Sequence, residues 1–90
     1  MAIGWQALIN STTGSQNIGI GVAALQQTTT GEQNTAIGEL SFLSTSGSYN
    51  TGVGAFTGYN SKNVTNNTYI GYRSGNEAWN GGNNTDLPTL

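Results

Sequence analysis

Cysteine and histidine are both absent from this 90-residue chain. Without cysteine no disulfide framework or thiolate metal site can form, and the redox compartment stays open. Without histidine the commonest general base is gone, and most zinc sites go with it. Charge is nearly as scarce: 7% of residues are charged, against about 25% in ordinary soluble domains. Lys62 and Arg73 are the only cations and the net charge is −2. A nucleic-acid binder needs a basic stripe, and an anionic membrane surface needs a cluster of cations; neither is present. No apolar run approaches the roughly 20 residues of a membrane helix. Nor does Met1-Ala2-Ile3-Gly4 read as a signal peptide, so no membrane insertion is expected. Proline occurs once, at Pro88, where regular pairing should end.

Glycine, asparagine, threonine, serine and glutamine fill the space, and they come in a fixed order. A core of Asn-x-(Ala/Gly)-(Ile/Val)-Gly recurs as NIGIG at 17–21, NTAIG at 34–38, NTGVG at 50–54 and NTYIG, with Tyr in the small position, at 67–71. The chain opens on the end of one more copy, Ala2-Ile3-Gly4. The Ile/Val position falls at Ile3, Ile20, Ile37, Val53 and Ile70, at intervals of 17, 17, 16 and 17 residues. Starting in mid-repeat, the chain reads as a piece of a longer array or as one capped by partners. A fixed short period means that one small supersecondary unit is stacked on itself. Low hydrophobicity alone would suggest disorder, but disorder has no such register.

Sixteen or seventeen residues are too few for a strand–helix unit, so two short strands and two turns per repeat are expected. The fold class is then all-β: a parallel β-roll or β-solenoid of about five coils over residues 1–75. Residues 76–90 read as a degenerate sixth repeat or C-terminal cap. Gly14, Gly31 and Gly47, six residues before the Ile, should supply a turn conformation closed to other residues. The one 16-residue interval arises between Phe42 and Gly47, in a turn.

Stacking at about 4.8 Å would place like residues over like. Ile20, Ile37, Val53 and Ile70 are then expected to form the core. Asn17, Asn34, Asn50 and Asn67 should form a hydrogen-bonded amide ladder. Strand alternation sends the residues beside each Ile or Val to the opposite face: Ala2 and Gly4, Gly19 and Gly21, Ala36 and Gly38, Gly52 and Gly54. An Ala/Gly face permits very close approach of another backbone, either within a thin roll or between subunits; a subunit interface is the sharper expectation. Towards the C-terminus the large apolar position becomes Gly58 and Gly75 and the turn glycine becomes Val64, while aromatics gather.

These motifs resemble the NTAIG repeat arrays of bacteriophage tail fibres, in which the core is followed by Ala-Leu and a TTG turn. They are also similar to the β-roll head of trimeric autotransporter adhesins, although that repeat is shorter and is carried on a heptad stalk and membrane anchor not found here. The resemblance covers residues 1–75. It implies a homotrimer on the outside of a virion or cell that attaches to a host glycan or receptor, or a fibre spacer without a ligand. Asn34, Ile37 and Gly38 match the family as core and turn positions, and no binding residue carries over.

Little else points to chemistry. Glu32, Glu39, Glu77 and Asp86 are read as solvated surface carboxylates rather than a glycosidase pair. GIGVAA at 19–24 lacks the third glycine, the helix and the acidic partner of a nucleotide loop. No enzyme activity, cofactor or metal is expected. Exposed aromatics among amides suit a sugar surface, and the candidate ligand-binding residues are Asn66, Tyr69, Tyr72, Arg73 and Trp79. Packing at the end of the stack is the plain alternative for them. Thirteen threonines and low charge also allow an ice-binding β-solenoid. Its nearest approach to a threonine file is Thr35, Thr51 and Thr68, interrupted by Ile18.

Overall fold

A computed structural model describes residues 1–75, 80–82 and 85–86. Its strands are β1 (Ala2–Ile3), β2 (Ile18–Ile20), β3 (Thr35–Ile37), β4 (Thr51–Val53), β5 (Asn63–Thr65), β6 (Thr68–Ile70), β7 (Asn80–Gly82) and β8 (Thr85–Asp86). No helix occurs among the described residues. The protein is all-β: β1, β2, β3, β4, β6 and β8 form one parallel sheet in that order, and β5 pairs with β7 alone. Register follows the repeat, with Ile3 beside Ile20, Ile20 beside Ile37, Ile37 beside Val53 and Val53 beside Ile70. Thr85 lies beside Thr68, still in phase. The rest of the expected cap, 76–79, 83–84 and 87–90, falls outside the described residues.

Two strands per repeat were expected, and the first four repeats form only one. The Ala-Leu half is a run of tight turns. Ala24, Gln26 and Thr28 donate their N–H groups to the carbonyls of Gly21, Ala23 and Leu25, three residues back in each case. The third residues of the first two turns, Ala23 and Leu25, have φ of 58° and 54°, as a type II turn requires. Leu8, Phe42 and Phe56 share this left-handed conformation, which costs a non-glycine residue roughly 1–2 kcal/mol. Bonds between repeats offset it: Leu25 N–H donates to Ser41 O at 3.0 Å and Gln27 N–H to Leu43 O at 2.8 Å. A second strand appears as β5, where Val64 replaces the turn glycine, and as its in-register partner β7, where Gly81 lies opposite Val64.

The faces of the sheet are the reverse of those expected. Ile3, Ile37, Val53 and Ile70 are exposed, and Ile20 is half-buried. Gly19, Ala36, Gly52 and Tyr69, at the centre of each strand, point inward. Alternation defines two faces but not which of them is covered. Here the opposing run of turns supplies the bulk, with Leu25 and Phe42 fully buried. A Cβ on Gly52 would lie 2.6 Å from the Phe42 ring. Small strand residues therefore make room for large turn residues, and the Ala/Gly face is no subunit interface.

Size then changes sides. Phe42 fills the interior from the turns, and Gly52 and Gly58 of the next repeat lie against its ring. In the following repeat Tyr69 fills it from the strand, and a Cβ on Gly75 would stand 2.5 Å from that ring. The two rings pack with centroids 5.6 Å apart. The glycines at 58 and 75 thus answer to neighbouring aromatics. Gly14, Gly31 and Gly47 also act by room rather than conformation: none has positive φ. An added Cβ would run into the carbonyl oxygen of the next repeat.

Candidate functional site

The interior is threaded with polar groups, and the asparagines carry most of them. Asn17, Asn34, Asn50 and Asn67 are buried. Asn34 Oδ1 accepts from the backbone N–H of Asn50 at 3.0 Å and from its Nδ2 at 2.9 Å. Asn34 Nδ2 donates to Gly47 O at 2.9 Å and to Asn17 Oδ1 at 3.2 Å. The backbone N–H of Asn34 donates to Asn17 Oδ1 at 2.9 Å, and that of Asn67 to Asn50 Oδ1 at 3.1 Å. These amides face one another and the backbone, and they are not presented to solvent. Deep beside them Thr28 Oγ1 donates to Thr45 O at 3.0 Å, and Ser61 Oγ donates to Gly75 O at 2.8 Å. Ser41 and Thr57 share a hydroxyl–hydroxyl bond of 2.5 Å. Buried polar groups satisfied in this way stabilise the stack but leave nothing free for chemistry.

The five candidate ligand residues do not form one patch. Tyr69 is 2% exposed and packed on Phe42, so its ring cannot meet a ligand; this corrects the sequence reading. The strand is short and its central position faces in, which sequence alternation alone left open. Trp79 lies outside the described residues. Asn66 is exposed, in the left-handed region at φ 61°, with its N–H donated to Ser48 O. It sits just before β6, whereas Tyr72 and Arg73 sit just after it.

Tyr72 and Arg73 do come together, with two residues that sequence reasoning missed. Tyr72 is 67% exposed, and its ring meets that of Phe56 edge-on at 6.1 Å. Phe56 meets Tyr59 edge-on at 5.5 Å. The Arg73 guanidinium lies 5.9 Å from the centre of the Tyr72 ring, within cation–π range. A signal existed for Phe56: it holds the same repeat position as Arg73, three residues after the Val/Ile, so stacking brings it one layer away. The cluster offers flat apolar rings, one cation and no carboxylate.

Among the described residues no group of three His, Cys, Asp or Glu side chains could hold a metal ion. Glu32 and Glu39 are exposed, Glu77 lies outside the described residues, and only the backbone of Asp86 is described. No helix of the described residues is long and apolar enough to cross a membrane.

The outward face of the sheet is the other organised surface. Ile3, Ile20, Ile37, Val53 and Ile70 run along it in register. Two residues before the last four, on the same face, Ile18 and then Thr35, Thr51 and Thr68 form a half-buried file. No family model, no curated protein and no solved structure matches the chain.

Proposed function

We propose that this chain is a β-solenoid or β-roll module serving as a structural and attachment element of a fibre outside a virion or cell. In this reading it is not an enzyme, works as a homotrimer, and offers a neutral polar surface to a host glycan or receptor. One observation carries the reading: each repeat is bonded to the next through buried amides and backbone, and the organised features left on its surface are an uncharged file and an aromatic cluster with one cation, Arg73. Such stacking builds a stiff body of any length whose surface can vary without disturbing the interior. The resemblance of its NTAIG units to tail-fibre arrays supports the same conclusion. Within it, the Phe56–Tyr59–Tyr72–Arg73 cluster is the candidate glycan surface, since sugar rings stack on aromatic faces and their hydroxyls pair with guanidinium and amide groups.

A glycan array probed with the native chain and with Tyr72→Ala tests this. Binding by the native chain that falls at least tenfold in Tyr72→Ala supports attachment through the cluster. Equal binding by both moves the ligand elsewhere on the surface, and no binding by either reduces the module to a spacer. One observation favours a second reading, ice binding: threonine and aliphatic files share one exposed, regularly spaced face. Thermal hysteresis of the purified chain, at concentrations where the array is silent, would carry that reading instead.

A further inference from the structure

We infer that the outward face of the sheet, the file of Ile3, Ile20, Ile37, Val53 and Ile70 with the threonine file beside it, is where one copy of this chain packs against another. The inference rests on the fibre reading above and deepens it: it assigns the contact between copies to a face of the sheet opposite to the Ala/Gly positions. Those positions are closed by Leu25 and Phe42 and can receive nothing.

Three observations converge on a second copy as the occupant. The first is where the exposed apolar residues lie. Among the described residues, all the large exposed hydrophobic side chains except Ile9 and Tyr49 are on this face or two residues past it. Ile3 is 54% exposed and Ile70 43%. Elsewhere the outer positions of the turns are mainly Gln, Asn, Ser and Thr. A continuous apolar file rimmed by polar side chains is the composition of an interface core.

The second is charge. Packing about a symmetry axis sets like files near like files, so a charged file would repel its own copies. Neither the Ile/Val file nor the threonine file holds an ionisable side chain. Both cations, Lys62 and Arg73, fall outside them. The flank two residues past the Ile/Val file carries one charge, the exposed Glu39, so an identical face meets a like-charge penalty at that position alone and an acidic or basic partner finds little to pair with.

The third is area. A standard interface takes roughly 800 Å² from each partner, about a sixth of the 4749 Å² that this molecule exposes. That is the share one long side of a body 36 × 22 × 17 Å can give. The files run the length of the sheet, so a copy lying alongside would cover them all. Regular spacing makes the two faces commensurate, repeat against repeat.

Light scattering coupled to size exclusion, on the 90-residue chain and two variants, together with oxidative cross-linking of two cysteine variants, tests the inference. The native chain is expected at three times 9.3 kDa. Ile37→Asp with Val53→Asp places two charges in the file and should run at 9.3 kDa with its far-UV spectrum unchanged. Thr30→Asp, exposed on the turns, should keep the native mass. Since the chain has no cysteine, Ile37→Cys gives an independent readout that needs no disruption. Oxidation should cross-link copies of Ile37→Cys, and copies of Thr30→Cys should stay apart. A native oligomer that survives the double substitution and fails to cross-link at position 37 overturns this face while leaving the assembly intact. A folded native monomer overturns the face and the homotrimer together.

Discussion

At the scale of single residues the asparagine ladder is where polar chemistry is most concentrated, and Asn34 sits in its middle. Its amide uses both ends: Oδ1 accepts twice from Asn50, and Nδ2 donates to Gly47 O and Asn17 Oδ1. Asn34→Ala strands those partners and should cost about 2–4 kcal/mol, since each buried orphan is worth roughly 1–3. Asn34→Asp distinguishes donor from acceptor. The introduced carboxyl keeps the acceptor but, once ionised, faces two carbonyl oxygens in a buried site, so its folded pKa rises above the unfolded value of about 3.9. A raised carboxyl pKa means that the folded state holds the proton longer. Stability is then greatest below about pH 3.9 and is lost as pH climbs through the folded pKa. Melting curves should show the deficit of Asn34→Asp, relative to the native chain, widening from pH 3.5 to pH 7.5, while that of Asn34→Ala stays level. Parallel deficits in both variants would show that the donors do not matter. This ladder was legible from spacing, because identical residues one period apart must meet when units stack. The fate of Tyr69 was not, because its position holds Gly or Ala in the other repeats and nothing local distinguishes a core Tyr from a surface one.

Among the elements, the strands fell where the Ile/Val period put them, and the faces did not. Two facts hid the true arrangement. Bulk was expected to mark the inside of the strand, but the interior is filled mainly from the turns. Those turns hold Leu and Phe in a left-handed conformation that sequence preference assigns to glycine. The exchange of size between Phe42 and Gly58 makes this testable. Gly58 has φ 59° and lies against the Phe42 ring. Gly58→Ala adds left-handed strain and overpacking, together about 2–4 kcal/mol. Phe42→Leu alone leaves a cavity costing about 1–2 kcal/mol. In the double variant the smaller side chain admits the new methyl, so the combined loss should fall short of the sum by about 1 kcal/mol or more. Urea denaturation of the four proteins measures that coupling, and simple additivity would show that the ring and the glycine are independent.

For the molecule as a whole, cohesion comes from neutral hydrogen bonds and a thin apolar seam, with six charged side chains in all. Screening acts on charges and leaves neutral bonds largely alone. The melting temperature should therefore move by less than about 2 °C between 0.05 and 0.5 M NaCl, as read by circular dichroism. A rise of 10 °C or more would instead report a charge network that the six charged side chains do not suggest. The all-β class with a parallel, in-register sheet was the most legible part of the sequence, since a fixed period sets like strand beside like strand. The candidate site was the least legible: of its four described residues only Tyr72 and Arg73 adjoin, and their partners Phe56 and Tyr59 come from the layer beneath.

The asparagine ladder has one more implication, and it concerns inheritance. Each unit hands its neighbour the same acceptor and receives the same donor, and the one 16-residue interval is taken up between Phe42 and Gly47 without moving Asn50 off Asn34. A gene segment encoding one whole period could therefore be copied or lost by slippage between like sequences, and every amide would still find its counterpart. Length is thus a trait that can change in whole steps while the pattern of bonding is passed on intact.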